Sequence, residues 1–330
     1  YQNQGNGTFK DMTEQAGLKV FSPGTGVPLA KSLGLNFYDF DEDGYLDIFI
    51  TNDTVQNLLF RNQQNGTFSE SAARAGVAFD MDGNARGAMG IDIATFRNDD
   101  TLGIAIGNFA NEMTALYTSP GKEMQFIDEA ISNGLGPQTR QALTFGVFFF
   151  DADLDGRLDL FSANGHLEED INIVQARQHY EQPPQLFWNC GPQYATEFVP
   201  LDESRVGQDF VKPLVGRGAT FADIDGDGDL DLIIMTTGNK PRLLRNDQQT
   251  GHHWVRFHLV SEDTSKKDRS AASPRDALGA HIQITTATGN QSRMVMPTRS
   301  YLAQTELPVT FGLGKDEEIE LVTVNWPSGK

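Results

Sequence analysis

Three nine-residue segments share one pattern, and it constrains this chain more than anything else in the sequence. They read DFDEDGYLD (residues 39–47), DADLDGRLD (residues 151–159) and DIDGDGDLD (residues 223–231), each with Asp at positions 1, 3, 5 and 9 and Gly at position 6. A hard cation such as Ca²⁺ takes six to eight oxygens, and a tight loop can offer carboxylates at alternate positions plus a backbone carbonyl at position 7. The spacing therefore predicts three Ca²⁺ loops: Asp39, Asp41, Asp43, Asp47 with the carbonyl of Tyr45; Asp151, Asp153, Asp155, Asp159 with that of Arg157; and Asp223, Asp225, Asp227, Asp231 with that of Asp229. The glycine permits the sharp turn that folds each loop back on itself. Without a cation, carboxylates held this close repel one another. A single such nonapeptide would also suit a solvated acidic surface loop; three in one internal register call for a common ligand.

The acidic loops also shape the overall charge. The 330 residues carry 45 acidic and 26 basic side chains, a formal net charge of −19. Three divalent cations would offset six of those charges and leave the chain strongly acidic, which disfavours a role tracking a nucleic-acid backbone. One cysteine, Cys190, excludes an intrachain disulfide framework. No apolar run approaches the roughly 20 residues of a membrane-spanning helix. The chain begins at Tyr1 without an initiator Met, which fits a signal peptide removed from, or not included in, this sequence. Calcium modules of low affinity are typically extracellular, so an extracellular or periplasmic location is expected.

The loops belong to a longer repeat. A glycine precedes each by five residues (Gly34, Gly146, Gly218), and the same frame applied to Gly90 reveals a degenerate copy, TFRNDDTLG, at residues 95–103. The glycines are spaced by 56, 56 and 72 residues. Between the loops a second element recurs, with its aromatic anchor at Phe9, Phe68, Phe126 and Phe198. Each unit reads as four strands: one running into the loop (residues 35–40 or 219–224), one leaving it (46–51 or 230–236), and two more (about 58–62 and 67–70). Four short strands per 55–60 residues describe a propeller blade, which stacks on its neighbours to bury its faces. The apolar run Phe145 to Phe150 suits an innermost strand buried on both sides. The fold expected is all-β: about four and a half blades, residues 1–250, as the later part of a seven-bladed ring, or a smaller ring closed by the N-terminal strands. The register fails after Asn246. From about residue 251 to 330, HHWVRFHLV, a polar stretch at 261–276, a hairpin turning at Thr288-Gly289-Asn290 and a last strand IELVTVNW predict a separate small β domain.

On these residues the chain resembles a known group. The aspartate loops with their preceding glycines look like FG-GAP (VCBS-type) repeats, the calcium-loop blades also found in integrin heads. The segments GHHWVRFHLV, RDALGAHIQITT, SYLAQTELPVTFGLG and VTVNWPSG look like the ASPIC/UnbV domain. The combination is similar to the bacterial relatives of cartilage acidic protein. The resemblance implies a calcium-binding extracellular propeller with a β appendage, and it implies no particular reaction, since a fold alone does not give function. The second unit departs from the pattern: Asp99 alone remains of the four carboxylates, and Arg97 stands at a ligand position. That loop is expected to hold no metal, with Arg97 in the cation's place or turned outward.

Two further features are candidates for function. Lys31, Arg86, Arg140 and Arg217 precede or open the innermost strands; a cationic patch at the channel mouth of an acidic protein would attract an anion, although each arginine can equally pair with a neighbouring acid or a carbonyl. The insertion at residues 165–184 contains His166, which suits a general base, a metal ligand or a hydrogen-bonded turn residue; long loops in compact domains often bind. No HExxH, GxSxG or phosphate-cradling glycine loop is present. The leading expectation is a binding or adhesion module, for a protein, polysaccharide or matrix partner, rather than an enzyme. The rival readings are an acidic-polysaccharide lyase or a cofactor-free cyclase or isomerase at the channel mouth, and a structural subunit of an envelope assembly.

Overall fold

The computed structural model describes residues 1–22, 24–120, 124–261 and 273–328; most of the expected polar stretch, residues 262–272, lies outside them. An N-terminal hairpin, β1 (Gln2–Asn3) and β2 (Phe9–Lys10), precedes three four-stranded antiparallel meanders. The first is β3 (Ser32–Tyr38), β4 (Asp47–Asn52), β5 (Leu58–Asn62) and β6 (Phe68–Glu70). The second is β7 (Ala88–Ala94), β8 (Thr101–Asn108), β9 (Ala115–Pro120) and β10 (Ile127–Asp128). The third is β11 (Thr144–Phe150), β12 (Asp159–Asn164), β13 (Gln185–Asn189) and β14 (Phe198–Pro200). The fourth sheet has three strands, β15 (Gly216–Ala222), β16 (Asp231–Thr236) and β17 (Arg242–Leu244). The repeat spacing predicts four complete units, but among the described residues the fourth has three strands rather than four. These are the blades of a propeller, and the three aspartate loops join the first strand of a blade to its second.

The core lies between blades. Phe40, Phe49, Ile91 and Ile104 pack blade one on blade two; Phe96, Phe149, Leu160 and Phe187 pack two on three; Phe148, Phe161, Leu232 and Ile234 pack three on four. Phe145 to Phe150 are all buried, as expected of an innermost strand. The recurring glycine has a packing reason that the sequence reading did not give. A Cβ on Gly34 would lie 2.3 Å from the Met89 carbonyl oxygen, one on Gly90 2.1 Å from that of Phe145, and one on Gly146 2.8 Å from that of Arg217. Each glycine admits the backbone just ahead of the next blade's equivalent glycine, so the blades stack in register at a distance no side chain permits.

The C-terminal strands are β18 (His253–Phe257), β19 (His281–Thr286), β20 (Gly289–Met294), β21 (Thr298–Arg299), β22 (Ala303–Gln304), β23 (Val309–Gly314) and β24 (Leu321–Asn325). β18 pairs with β23, and β19 lies between β20 and β24 around a core containing Ile282, Ile284 and Phe311. The hairpin β21–β22 reaches into the axial side of the blades. Ser300 exchanges backbone hydrogen bonds with Ile91 (2.9 and 3.2 Å), and its Oγ accepts from the Val147 amide at 3.1 Å. Arg299 donates to both carboxylate oxygens of Asp92, a fully buried residue, at 2.8 and 3.0 Å. A Cβ on Gly218 would meet the Tyr301 carbonyl oxygen at 2.8 Å, so this hairpin gives blade four the contact that each following blade gives the one before it. Four short helices, α1 (Ala72–Ala75), α2 (Gly136–Thr139), α3 (Ile171–Val174) and α4 (Glu203–Val206), interrupt the connections.

Substituting Gly90 tests the stacking. Gly90→Ala should destabilise the chain by about 1–3 kcal/mol, the usual cost of forcing extra atoms into a packed core, read as a lower denaturant midpoint with unchanged slope. A midpoint equal to the parent's would show that the close approach at Phe145 does not constrain the blades.

Candidate metal centres

The loops are bent by residues with positive φ at positions 4 and 6: Glu42 and Gly44 (54° and 89°), Leu154 and Gly156 (58° and 93°), Gly226 and Gly228 (82° and 97°). Side-chain-to-backbone bonds fix the bends. The position-5 carboxylate accepts from the position-7 amide in each loop: Asp43 from Tyr45 at 2.9 Å, Asp155 from Arg157 at 2.8 Å, Asp227 from Asp229 at 3.0 Å. At position 1, Asp39 accepts from Gly44 at 2.8 Å and Asp151 from Gly156 at 3.0 Å. The remaining oxygens converge. Asp39, Asp41 and Asp43 each offer one oxygen within 4.8 Å of the others, as do Asp151, Asp153 and Asp159, and Asp223, Asp225 and Asp227. Such clusters can hold a metal ion.

Position 9 has a second role that spacing alone did not reveal. One oxygen of Asp47 accepts from the Phe40 amide (3.2 Å) and the other from the Asn62 amide (2.7 Å). Asp159 does the same with Ala152 (3.0 Å) and Asn189 (2.8 Å), and Asp231 with Ile224 (3.0 Å) and Asn246 (2.8 Å). This carboxylate ties the loop to the end of the blade's third strand. It retains lone pairs for a cation, but its first task is to satisfy backbone donors.

The loops differ in burial. The second lies under the C-terminal strands, where Gly312 and Gly156 donate to Asp151 Oδ2 at 3.2 and 3.0 Å, Arg293 donates to the Gly156 carbonyl at 2.9 Å, and Gly314 donates to the Leu154 carbonyl at 2.9 Å. Asp151 is 1% exposed, and its Oδ1 has no hydrogen-bond partner among the described residues. Burial pushes the Asp151 carboxyl up to about 8, with Asp155 and Asp153 adding to the shift. Burial likewise raises Asp159 well above its ordinary range, and raises Asp47 to about 6. An acid with an orphaned oxygen, buried among other acids, is the environment that a divalent cation relieves, so the donor set fits one. In the third loop Arg256 from β18 pairs with Asp223 at 2.5 Å, and Arg245 approaches Asp225 at 3.6 Å. In the first, Arg61 pairs with Asp41 at 2.5 Å. The repeat pattern singles out none of these arginines, nor Arg293 and Arg299. For Arg256, Arg293 and Arg299 the available signal was a basic residue set into the otherwise uncharged C-terminal strands of a very acidic chain, whereas Arg61 and Arg245 belong to blades one and four.

The degenerate loop is arranged differently. Arg97 turns away to Glu129 (2.8 Å) and Glu197 (2.9 Å), while Asn98 donates to the Gly156 carbonyl at 2.7 Å and Thr95 to the Ser292 carbonyl at 3.0 Å. Among the described residues none of the acidic clusters includes residues 95–103.

The basic residues and His166 stand as follows. Arg86 pairs with Asp128 at 3.1 Å and Asp80 at 3.7 Å, towards the outer strand of its blade. Arg217 donates to the carbonyls of Gly165 (3.0 Å) and His166 (3.1 Å), with its guanidinium 4.3 Å from the centre of the Phe145 ring. The structure thus brings Arg217 and His166 together, while Arg86 is neutralised apart from them and Arg140 is exposed. The ion-pair alternative accounts for Arg86, since a half-buried guanidinium needs an acid close by. His166 is buried; its Nδ1 accepts from the Glu168 amide at 3.1 Å, and its ring meets Phe109 edge-on at 5.6 Å. Burial lowers its pKa, with Glu168 opposing and Arg217 assisting. This is the environment of a turn residue held as neutral imidazole.

The raised carboxyls fix a pH dependence for the cation-free chain. A folded acid that holds its proton to higher pH than the unfolded one contributes stability at low pH, and that stability is lost as pH rises through the window. For Asp47 and Asp151 the window runs from the ordinary carboxylate range to about 6 and about 8. In a chelator, the melting temperature should fall as pH rises from 5 to 8, and saturating divalent cation should flatten the fall. A cation-free melting temperature that rises over this range would contradict the assignment.

The FG-GAP-like repeat family matches residues 39–106, and the ASPIC and UnbV family matches residues 270–330. Cartilage acidic protein 1 of Mus musculus is 29% identical over 98% of this chain and 44% of its own length; that of Homo sapiens is 28% identical over 98% and 43%. The chain thus spans less than half the length of the curated relatives it matches. Among solved structures, an exotype rhamnogalacturonan lyase aligns over 91% of this chain and 59% of its own at 14% identity, with a TM-score of 0.34. A β-fructofuranosidase of Bombyx mori aligns over 92% and 67% at 14% identity, with a TM-score of 0.37. The chain carries FG-GAP-like repeat and ASPIC/UnbV sequence and is homologous to cartilage acidic protein 1.

Proposed function

We propose that this chain is a calcium-stabilised extracellular binding module, in which the cations are structural and the partner meets the blade connections on the face opposite the metal loops. The observation that carries the reading is the second loop: buried Asp151 and Asp159 beside Asp153, with one Asp151 oxygen unpartnered. Oxygen ligands alone, supplied by carboxylates and a loop carbonyl, favour Ca²⁺ over softer metals. In the calcium-bound chain, Asp151, Asp153, Asp155 and Asp159 with the Arg157 carbonyl would hold the ion of this loop, and the matching residues would hold those of the other two. Bound Ca²⁺ cancels the repulsion among them. The residues around each site then fasten the strands, through the position-9 carboxylate, and the C-terminal domain, through Gly312 and Arg256.

One observation supports a binding role on the opposite face. The insertion at residues 165–184 exposes Leu167, Ile173 and Val174, at 50%, 78% and 82%. An apolar tip of this kind is a contact surface that a monomer does not need. An extracellular location accords with calcium loops that depend on ambient cation, and among the described residues no helix is long and apolar enough to cross a membrane.

Calcium bound only by the folded chain stabilises it by mass action, about 2.7 kcal/mol at a free concentration 100 times Kd. Excess EGTA should therefore lower the melting temperature by several degrees, and restoring Ca²⁺ should return it. Identical melting curves with and without chelator would refute a structural role for the ion.

A further inference from the structure

Among the described residues blade four has three strands, and the place of a fourth is open. In the three complete blades the same contacts hold the fourth strand. Its phenylalanine amide donates to the residue just before a recurring glycine of the preceding connection: Phe68 to Ala16 at 2.8 Å, Phe126 to Ala75 at 2.8 Å, Phe198 to Asn133 at 2.9 Å. The glycines that follow (Gly17, Gly76, Gly134) lie so close that a Cβ would meet those phenylalanine carbonyl oxygens at 2.6, 2.7 and 2.5 Å. Three residues after the phenylalanine, a second amide donates to the third strand: Ser71 to Leu59 at 2.7 Å, Glu129 to Leu116 at 2.8 Å, Leu201 to Leu186 at 2.8 Å. Two residues after it, in the first two blades, an acid accepts from that same third-strand residue, Glu70 from Leu59 at 3.4 Å and Asp128 from Leu116 at 3.2 Å.

In blade four every receiving group is present. Val206 and Gly207 stand where Ala16 and Gly17, Ala75 and Gly76, and Asn133 and Gly134 stand in the other blades, and Leu243 stands where Leu59, Leu116 and Leu186 do. Gly207 has the same positive φ, 81°, yet a Cβ there would meet nothing within 4 Å. Leu243 is 59% exposed, whereas Leu59, Leu116 and Leu186 are 0%, 0% and 8% exposed. The chain that would have continued into this place instead pairs as β18 with β23. A groove of about 950 Å³ remains, floored by Leu232 and Leu244 and walled by Leu201, Val206 and Trp188.

From this we propose that blade four is a strand-accepting site for an extended segment of a partner protein, with Phe as anchor and an acidic residue two positions after it. The Phe amide donates to the Val206 carbonyl, and its ring fills the groove over Leu232 and Leu244. The acid accepts from the Leu243 amide, and the next amide donates to the Leu243 carbonyl. Strand addition of this kind draws affinity from main-chain bonds and specificity from the side-chain pocket, and it covers an edge that otherwise invites unselective pairing. The groove borders the second metal loop, where Asp153 and Asp159 line it and Trp188 donates to Asp153 at 3.1 Å, but it includes no residue of the insertion at residues 165–184, so it stands or falls independently of the binding face proposed above.

The probe is a fluorescein-labelled peptide of the chain's own fourth strand, residues 65–71 (NGTFSES), titrated into the 330-residue chain in calcium and read by anisotropy. Saturable binding is expected, at least tenfold weaker for the peptide with Phe replaced by Ala. Leu243→Pro removes the outward-facing amide from an edge strand, a place that tolerates proline, and should weaken binding at least tenfold. Leu243→Glu keeps the amide but sets a carboxylate against the peptide's acid, and should also weaken it. Calcium-dependent melting of both variants should match the parent, showing that they fold. No saturation at millimolar peptide, equal binding of the Phe→Ala peptide, or undiminished binding by the folded Leu243→Glu chain would each overturn the proposal.

Discussion

Carboxylates that must sit together are the constraint on which this structure depends. In the second loop Asp151, Asp153 and Asp159 bring oxygens within 4.8 Å of one another under the cover of the C-terminal strands. Water cannot screen them there, and without a counter-ion the acids retain protons instead, as the raised Asp151 and Asp159 carboxyls indicate. The same carboxylates hold the backbone: Asp159 joins the loop to the third strand, and Asp151 receives Gly312 from the C-terminal domain. Charge at one point and architecture across three elements are thus one problem, and a divalent cation held by these carboxylates would answer both.

The C-terminal segment packs directly on these loops. It supplies Gly312 and Arg293 to the second loop, Arg256 to the third, and Arg299 to Asp92 on the axial side. A Cβ on Gly312 would lie 2.3 Å from Asp151 Oδ2, and one on Gly228 would lie 2.0 Å from the Trp254 ring. Contacts this close leave no room for the domain to rest against the blades without shaping itself to the loops. At the first loop Arg61 of its own blade pairs with Asp41, and Tyr38, just before the loop, meets the His281 ring of β19 edge-on at 6.0 Å. The second loop is the most buried of the three and the third the most exposed, so the same carboxylate pattern sits in three different surroundings.

The blades and loops were legible because their causes are local. Short apolar runs bounded by turns set the strands, spacing set the carboxylates, and Gly44 and Gly156 sit at the positive φ that position 6 requires. Arg97 in the degenerate loop could be read as incompatible with a cation for the same reason, though its partners Glu129 and Glu197 come from other connections. What escaped the sequence depends on contacts between distant segments. The glycine ahead of each loop recurs at fixed spacing, but its reason, the carbonyl of the neighbouring blade, exists only in three dimensions. Arg86 and Arg217 occupy similar positions in the repeat and have different partners, because Asp80 and Asp128 stand near one, and Phe145 and the His166 turn near the other. The axial hairpin of Thr298 to Gln304 had no periodic signature, since it copies a neighbouring blade's contact without its sequence.

Equilibrium dialysis of the chain against radiolabelled calcium, with free concentration carried to saturation, bears most directly on the central claim. The account predicts three ions per chain, falling to two when Asp151→Asn removes the buried ligand of the second loop. Saturation at zero, at four, or at an unchanged three in the variant would contradict it.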